Sequence, residues 1–255
     1  MNFWNRRNKI EFFNSDPSII DNYPIIESKN LKLNWVNRAK ENYKNLVKQG
    51  INNEPGFKHL SKCPGIFDLF KYGYIIPLHK DFIIKPKEPK EKYEGFEVTF
   101  PSKTENSMEG TDKFYIDKQE ADLVANPPWA ANFIVKINTG WNVIAPKGIK
   151  FLLLPIAYPD TYIFTSTIGI LDPTISTQIN FQMYWNTEET VIIRAGAPLG
   201  HLIPLSEKKY KMVQRLANQK DRHWMEKVSS THSSSFWNTP VRSKLVNMYN
   251  KYWNS

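Results

Sequence analysis

The chain has 255 residues, of which 41% are hydrophobic and 14% aromatic, and this composition excludes a wholly disordered protein. No apolar run approaches the roughly 18 residues that cross a bilayer, no signal-peptide pattern opens the chain, and the single Cys63 excludes an intrachain disulfide. The net charge is +9, but lysines alternate with acids in segments such as 85–92, so we expect protein partners and keep nucleic acid as the weaker alternative.

Residues 1–84 are predicted to combine short strands with one amphipathic helix. The helix is indicated over 34–48, where apolar residues recur at three- and four-residue spacing before Gly50 ends the pattern. The recurring residues are Trp35, Ala39, Tyr43, Leu46 and Val47. A short helical turn is expected within 61–71. Extended segments are predicted at 9–13, 23–26, 74–78 and 81–84.

Residues 85–128 are predicted to be mostly irregular. The segment 85–94 is charged and carries prolines, which is typical of a linker or a protruding loop, and 101–128 is polar. Between them, 95–100 alternates between apolar and polar side chains. That alternation predicts a strand with one face in water.

The segment 129–205 carries the strongest structural signal. Short runs of β-branched, aromatic and apolar residues follow one another here, separated by Gly, Pro, Asn and Asp. The runs are 129–137, 141–144, 151–155, 162–169, 178–185, 190–194 and 199–205. We therefore predict a mainly β fold, a distorted antiparallel barrel or sandwich that is closed or nearly closed. The side chains expected to be largely buried in it are Trp141, Phe151, Leu153, Phe164, Ile179 and Phe181.

Residues 206–255 are predicted to form a helical extension of a single β-rich domain that spans 1–205. Apolar spacing favours a helix over 206–227, a serine-rich joint follows at 229–235, and a last helix begins at Pro240. The final turns of that helix carry the proposed interface residues, which are Met248, Tyr249, Tyr252 and Trp253. Because exposed Tyr and Trp mark interfaces, we expect the helix to be ordered, either against its own domain or against another protein.

Three segments of the central region, Gly169–Pro173, Ile192–Gly196 and Pro198–Pro204, resemble the second half of the dUTPase and dCTP-deaminase barrel. The resemblance implies a dUTPase-like fold, with Asp172 at the position of the family's base-and-sugar pocket. The chain departs from the family at Ile175, where the family has a stacking aromatic residue, and it lacks the phosphate-binding serine segment and the glycine-rich arm. We therefore expect Asp172 to begin a turn, and a nucleotide enzyme around it is an alternative.

A metal centre is a second alternative. His79 and Asp81 form a His-X-Asp pair, and with the distant His201 they match the two-histidine, one-carboxylate set of non-haem Fe(II)/2-oxoglutarate oxygenases. Short motifs at free spacing recur by chance, and no phosphate-binding glycine loop, nucleophile elbow or zinc motif accompanies this one. We therefore predict no metal, no cofactor and a non-enzymatic protein.

A set of short motifs is spread over residues 10–205. The motifs are Tyr23–Ile26 before Trp35, Lys62–Pro64, Gly73–Pro77 with Asp81, Trp141 with Pro146–Gly148, Gly169–Asp172 with Ile179–Phe181, and Gly196–Pro198 with Ile203–Pro204. In this order they resemble a protein family from marine tailed phages and some bacteria, to which no activity is assigned. The resemblance implies a phage origin. We predict a phage protein that acts by protein–protein binding, as a virion component or a host-directed effector, in the virion or the host cytoplasm, neither secreted nor in a membrane.

Overall fold

A computed structural model of the chain describes residues 8–53, 58–59, 62–86, 96–99, 116–119, 134–232 and 239–253. The strands, in chain order, are β1 (Lys9–Asn14), β2 (Ile26–Glu27), β3 (Tyr74–Pro77), β4 (Phe82–Pro86), β5 (Phe96–Thr99), β6 (Ile116–Gln119), β7 (Ile134–Ile144), β8 (Phe151–Leu154), β9 (Phe164–Ser166), β10 (Gly169–Leu171), β11 (Gln178–Trp185), β12 (Val191–Ile193), β13 (Pro198–Pro204) and β14 (Lys211–Leu216). The α-helices are α1 (Pro17–Asn22), α2 (Asn34–Lys48), α3 (Pro64–Leu69), α4 (Gln219–His232) and α5 (Thr239–Trp253).

The strands form three sheets. The first sheet has the order β14-β1-β7-β11-β9, with β6 also paired to β7. The second sheet has the order β10-β8-β13-β3-β2, and the third has the order β12-β4-β5. Strand β1 pairs in parallel with β14, whereas β1–β7, β7–β11 and the pairs of the second and third sheets are antiparallel.

Apolar side chains from all three sheets meet in one core. Its members include Ile10, Phe12, Trp141 and Phe181 from the first sheet, Ile76, Phe151 and Leu202 from the second, and Phe82, Ile84 and Ile193 from the third. Gly200 of β13 lies directly against Phe181 of β11, so that a Cβ atom on Gly200 would be 2.1 Å from the ring Cε1 of Phe181. Ser166 of β9 donates its hydroxyl hydrogen to the carbonyl oxygen of Leu199 in β13. The first and second sheets therefore pack face to face.

The mainly β prediction is confirmed, but the closed barrel is wrong for the part of the chain that the structure describes. Strand β9 ends the first sheet and β10 ends the second, and the short link between them, Thr167 and Ile168, leads from one sheet to the other. A barrel would require strands at such edges to pair. Trp141, Phe151, Ile179 and Phe181 are buried as predicted. Leu153 and Phe164 are half-buried against the core.

The helix predicted over 206–227 is wrong in its first part. Residues Lys211–Leu216 form β14, which pairs along its whole length with β1. The side chain of Gln214 adds two bonds to the backbone of Ile25, accepting from its N–H at 2.8 Å and donating to its carbonyl at 2.9 Å. Helix-like apolar spacing is thus overridden by a long-range partner strand. Helix α4 continues to His232, so the part of the predicted serine-rich joint that the structure describes, 229–232, is helical.

Helices α4 and α5 cover the outer face of the first sheet. Their side chains form a second core cluster with residues of β1 and β7, whose buried members are Phe13, Ile144, Ala217, Trp224, Leu245, Tyr249 and Trp253. The last helix is confirmed, since α5 spans Thr239–Trp253. Because Phe12 points into the first core and Phe13 into the second, β1 connects the two.

Helix α2 lies at the periphery. Its bounds match the prediction, and none of its residues is buried. Trp35 holds it to the rest of the chain, since its Nε1–H donates to the carbonyl of Tyr158 at 2.7 Å and its ring packs against Phe67 of α3. Among the described helices, none combines the length and the apolar character that crossing a membrane requires.

Candidate functional site

The outer face of the second sheet is apolar where a solvent-facing surface is expected to be polar. In β8, Phe151 and Leu153 point towards the core, so Leu152 lies on the opposite face. Leu152 is directly opposite Ile170 of β10 on one side and Ile203 of β13 on the other. Ile170 is 56% exposed, and the other two are half-buried. An antiparallel sheet that faces water normally places polar side chains in such a row.

Two further apolar side chains extend this row. Ile168 is two residues before Ile170 and is 70% exposed, and Leu205 is two residues after Ile203 and is 49% exposed. Leu205 stays in register with β8, because its N–H donates to the carbonyl of Lys150 at 2.8 Å. We call the group Leu152, Ile168, Ile170, Ile203 and Leu205 the apolar patch. Exposed groups of this kind mark interaction sites, whereas isolated exposed apolar residues do not.

The patch ends at an open edge of the sheets. In the part of the chain that the structure describes, β10 pairs only with β8, and β9 pairs only with β11. The outward N–H and C=O groups of an edge strand can pair with a strand of another protein. Exposed isoleucine side chains and unpaired backbone therefore occur together at β10.

The turn after β10 fixes this edge. Asp172 Oδ1 accepts hydrogen bonds from the backbone N–H of Thr174 at 3.0 Å and from its hydroxyl at 2.5 Å. The backbone carbonyl of Asp172 accepts from the N–H of Ile175 at 2.9 Å. The side-chain Oδ2 of Asp172 lies 3.2 Å from Lys150 Nζ. The prediction that Asp172 begins a turn, with its carboxylate bonded to nearby backbone, is confirmed. In this arrangement the carboxylate organises the loop between β10 and β11.

The other part of the outer face is covered by the segment that follows α3. His201 of β13 is only 1% exposed, its Nε2–H donates to the carbonyl of Tyr72 at 2.6 Å, and its ring stacks on that of Phe70. Gly73 makes this approach feasible, because its φ is +80° and a Cβ atom there would lie 2.4 Å from the carbonyl oxygen of Leu202. Because this cover ends near His201, the apolar patch remains open beside it.

The three residues of the alternative iron site do not converge in the structure. Within the described residues, no three His, Cys, Asp or Glu side chains are placed to hold one metal ion, so His79, Asp81 and His201 do not come together as a centre. Asp81 accepts from the N–H of Ala195 at 2.7 Å and from Arg194 Nη1 at 2.8 Å, and these bonds hold its pKa below the usual value. Asp81 thus anchors the loop after β12.

The burial of His201 predicts a pH dependence of stability. Burial lowers the pKa of His201 below its ordinary value, and the bond to Tyr72 opposes this only in part. As the pH falls below about 6.5, the unfolded chain therefore takes up a proton that the folded chain resists, and the free energy of unfolding decreases. Urea unfolding at a series of pH values measures this decrease. His201→Gln should flatten the profile and the exposed His223→Gln should not; equal profiles for the two variants would contradict the assignment.

The C-terminal residues predicted as an interface divide into two groups. Tyr249 and Trp253 are buried in the second core cluster, where the Tyr249 hydroxyl donates to the carbonyl of Ala145 at 3.3 Å. Met248 and Tyr252 are half-buried at its margin. The helix is therefore ordered against its own chain, and a contact of Met248 and Tyr252 with another protein stays a prediction.

The sequence contains a pattern that indicates the apolar patch, namely two nearly continuous apolar runs, which alternation of apolar and polar residues does not reveal. Residues 151–154 read Phe-Leu-Leu-Leu, and 168–171 read Ile-Gly-Ile-Leu. Continuous apolar runs are typical of strands covered on both faces. Only the sheet order shows that the second face of β8 and β10 has no cover among the described residues.

Comparison with known proteins adds no family assignment. No protein-family model matches the chain, and no curated protein matches it significantly. What the protein does is therefore inferred from its own surface.

Proposed function

We propose that the protein is a phage protein that acts by binding another protein, either as a virion component or as a host-directed effector, and that it does so through the apolar patch. The observation that carries the proposal is the exposure of Ile168 and Ile170, at 70% and 56%, beside the edge of β10 with which no described strand pairs. The order of motifs that resembles the tailed-phage family supports the origin.

The chemistry of the patch suits a protein partner. Fully burying an isoleucine side chain contributes about 1.5–3 kcal/mol, so covering the two isoleucines gives several kcal/mol before the cost of association. A partner strand aligned with β10 would in addition satisfy the outward backbone groups of that strand. Burial of the side chains of the patch would therefore supply binding free energy, and backbone pairing with β10 would fix the register of the partner strand.

Ile170→Lys is the first test. A lysine in the middle of β10 places a charge in the proposed interface and blocks edge pairing, so we expect at least a roughly tenfold loss of partner binding with an unchanged fold. The matched control is Ile192→Lys, which changes the middle residue of another three-residue strand, β12, where the isoleucine is 43% exposed. Equal binding by the two variants would contradict the proposal.

A photo-crosslinking amino acid at position 168, compared with position 192, identifies the partner during infection. We expect one crosslinked protein at position 168 and none at 192. Quantitative mass spectrometry of purified virions then assigns the role, because a fixed copy number indicates a virion component and absence from virions indicates an effector. Crosslinks that are equal at both positions would reject the patch as the binding surface.

A further inference from the structure

Positive charge is concentrated in two segments of the chain, 28–53 and 208–222. Residues 28–53 hold six basic side chains and one acidic side chain, a net +5 of the total +9. The segment consists mainly of α2, which stands at the periphery without a buried residue. Residues 208–222 also hold six basic side chains and one acidic side chain, but Arg215 there is paired with Glu11 and Asp221. The segment 28–53 instead carries its charges on one exposed helix and its entry.

The lysines of this segment are arranged in a line. Lys40, Lys44 and Lys48 follow one another at four-residue spacing, which places them on one flank of the helix about 6 Å apart along its axis. At the start of the helix, a hollow of about 460 Å³ is lined by Lys32 and Lys40 together with Lys29. Asn30 and Asn37 add amide groups to the same hollow, and its lining contains no carboxylate. We call Lys32, Lys40, Lys44 and Lys48 the lysine track.

The charges of the lysine track are not neutralised within the described chain. All four side chains are exposed, and none forms an ion pair with another described residue, whereas Lys29 is paired with Glu27. The amide at the start of α2 is already occupied, because Asn34 N–H donates to both carboxylate oxygens of Asp160 at 3.1 Å. The attraction for an external anion therefore comes from the lysine side chains and not from the helix terminus.

The orientation of α2 indicates whether an anionic membrane or a nucleic acid is the better partner. A helix that lies in an anionic membrane inserts its apolar face. Here Trp35 turns that face towards the protein, with its ring 6.0 Å from Phe67 and 5.7 Å from Tyr158. The outward side is cationic and rich in asparagine, which is the footprint of a surface that follows a phosphate backbone.

We propose that the lysine track binds the phosphate backbone of nucleic acid without regard to sequence. This activity is separate from the protein-binding patch, and it does not depend on the function proposed for that patch. The lysines contact phosphates and release condensed counterions, so affinity falls steeply with salt. With four lysines engaged on a duplex, the plot of log K against log salt concentration has a slope of about −4.

Fluorescence anisotropy with a labelled oligo(dT) strand and with a duplex of equal length tests the proposal, using the full chain at about 50 to 200 mM KCl. The triple variant Lys40→Gln/Lys44→Gln/Lys48→Gln should bind both probes at least tenfold more weakly, and the slope should become shallower by about one for each lysine removed. The charge-matched control is Lys147→Gln/Lys208→Gln/Lys209→Gln, which changes three exposed lysines outside the segment 28–53 and should leave most of the affinity. Far-ultraviolet circular dichroism checks that each variant is folded.

Three results would overturn the proposal. Equal losses in the two triple variants would mean that net charge, and not the lysine track, attracts nucleic acid. Binding of the wild-type protein to phosphatidylserine vesicles but to neither nucleic acid would identify a membrane surface instead. Salt-sensitive binding of the protein to poly-glutamate, with no binding to either nucleic-acid probe, would identify an acidic protein as the partner of the lysine track.

Discussion

Replacing Asp221 with alanine is expected to lower the free energy of unfolding by about 3–5 kcal/mol, because it leaves a partly buried guanidinium without its main partner. The Asp221 side chain is fully buried and accepts from Arg215 Nη1 at 2.5 Å and from Nη2 at 3.0 Å. It also accepts from the N–H of Asn218 at 2.7 Å, and Asn218 Oδ1 accepts from the N–H of Asp221 at 3.0 Å, which caps the start of α4. One carboxylate therefore joins α4 to β14.

Arg215 connects the same network to β1, since its Nε–H donates to Glu11 at 2.9 Å and its guanidinium lies over the ring of Phe13 at 5.2 Å. The matched variant is Glu11→Gln/Arg215→Met/Asp221→Leu, which removes all three charges of the network and keeps apolar volume. It should be less destabilised than Asp221→Ala, because no uncompensated charge remains. Urea unfolding measures both. A loss below about 1 kcal/mol for Asp221→Ala would show that Arg215 finds other partners.

Gly200→Ala is expected to destabilise the protein by about 3 kcal/mol, although it adds one methyl group. The added Cβ would lie 2.1 Å from Phe181 Cε1 and 2.7 Å from its Cζ, so the ring or a whole strand must move. Both residues lie in the core where the first and second sheets meet, and a close-packed interior has little room for an added methyl group. Thermal and urea unfolding of the variant measure the loss.

The control for Gly200→Ala is a double-mutant cycle with Phe181→Leu. Leucine shortens the side chain that the new methyl group meets, so the double variant should lose less stability than the sum of the two single variants. Gly169→Ala provides a second control, because a Cβ atom there meets nothing within 4 Å. Strict additivity in the cycle would mean that the contact between Gly200 and Phe181 does not cause the destabilisation.

Local pattern was sufficient for many of the elements. Alternation in β11 places Ile179, Phe181 and Met183 on the buried face, and four-residue spacing predicts α2 with its correct bounds. Asp172 before a proline predicts a turn. These features depend on neighbours within a few residues, so the local sequence is enough to predict them.

Long-range pairing decided what the pattern could not. Lys211–Leu216 has a spacing that also suits a helix, and it became a strand because β1, about two hundred residues earlier, offered a free edge. The sheet to which a strand belongs likewise depends on where the chain passes from one sheet to the other. Strands of an open pair of sheets and strands of a barrel show the same alternation of apolar and polar side chains, so alternation does not distinguish the two folds.

The candidate surfaces were decided in the same way. The runs at 151–154 and 168–171 are apolar on both faces, but only the order of β10, β8 and β13 shows that Leu152, Ile170 and Ile203 lie side by side, uncovered by any described residue. The sequence determined which side chains are apolar or charged; tertiary structure decided which of them meet and which remain exposed, because exposure depends on contacts between segments far apart in the chain.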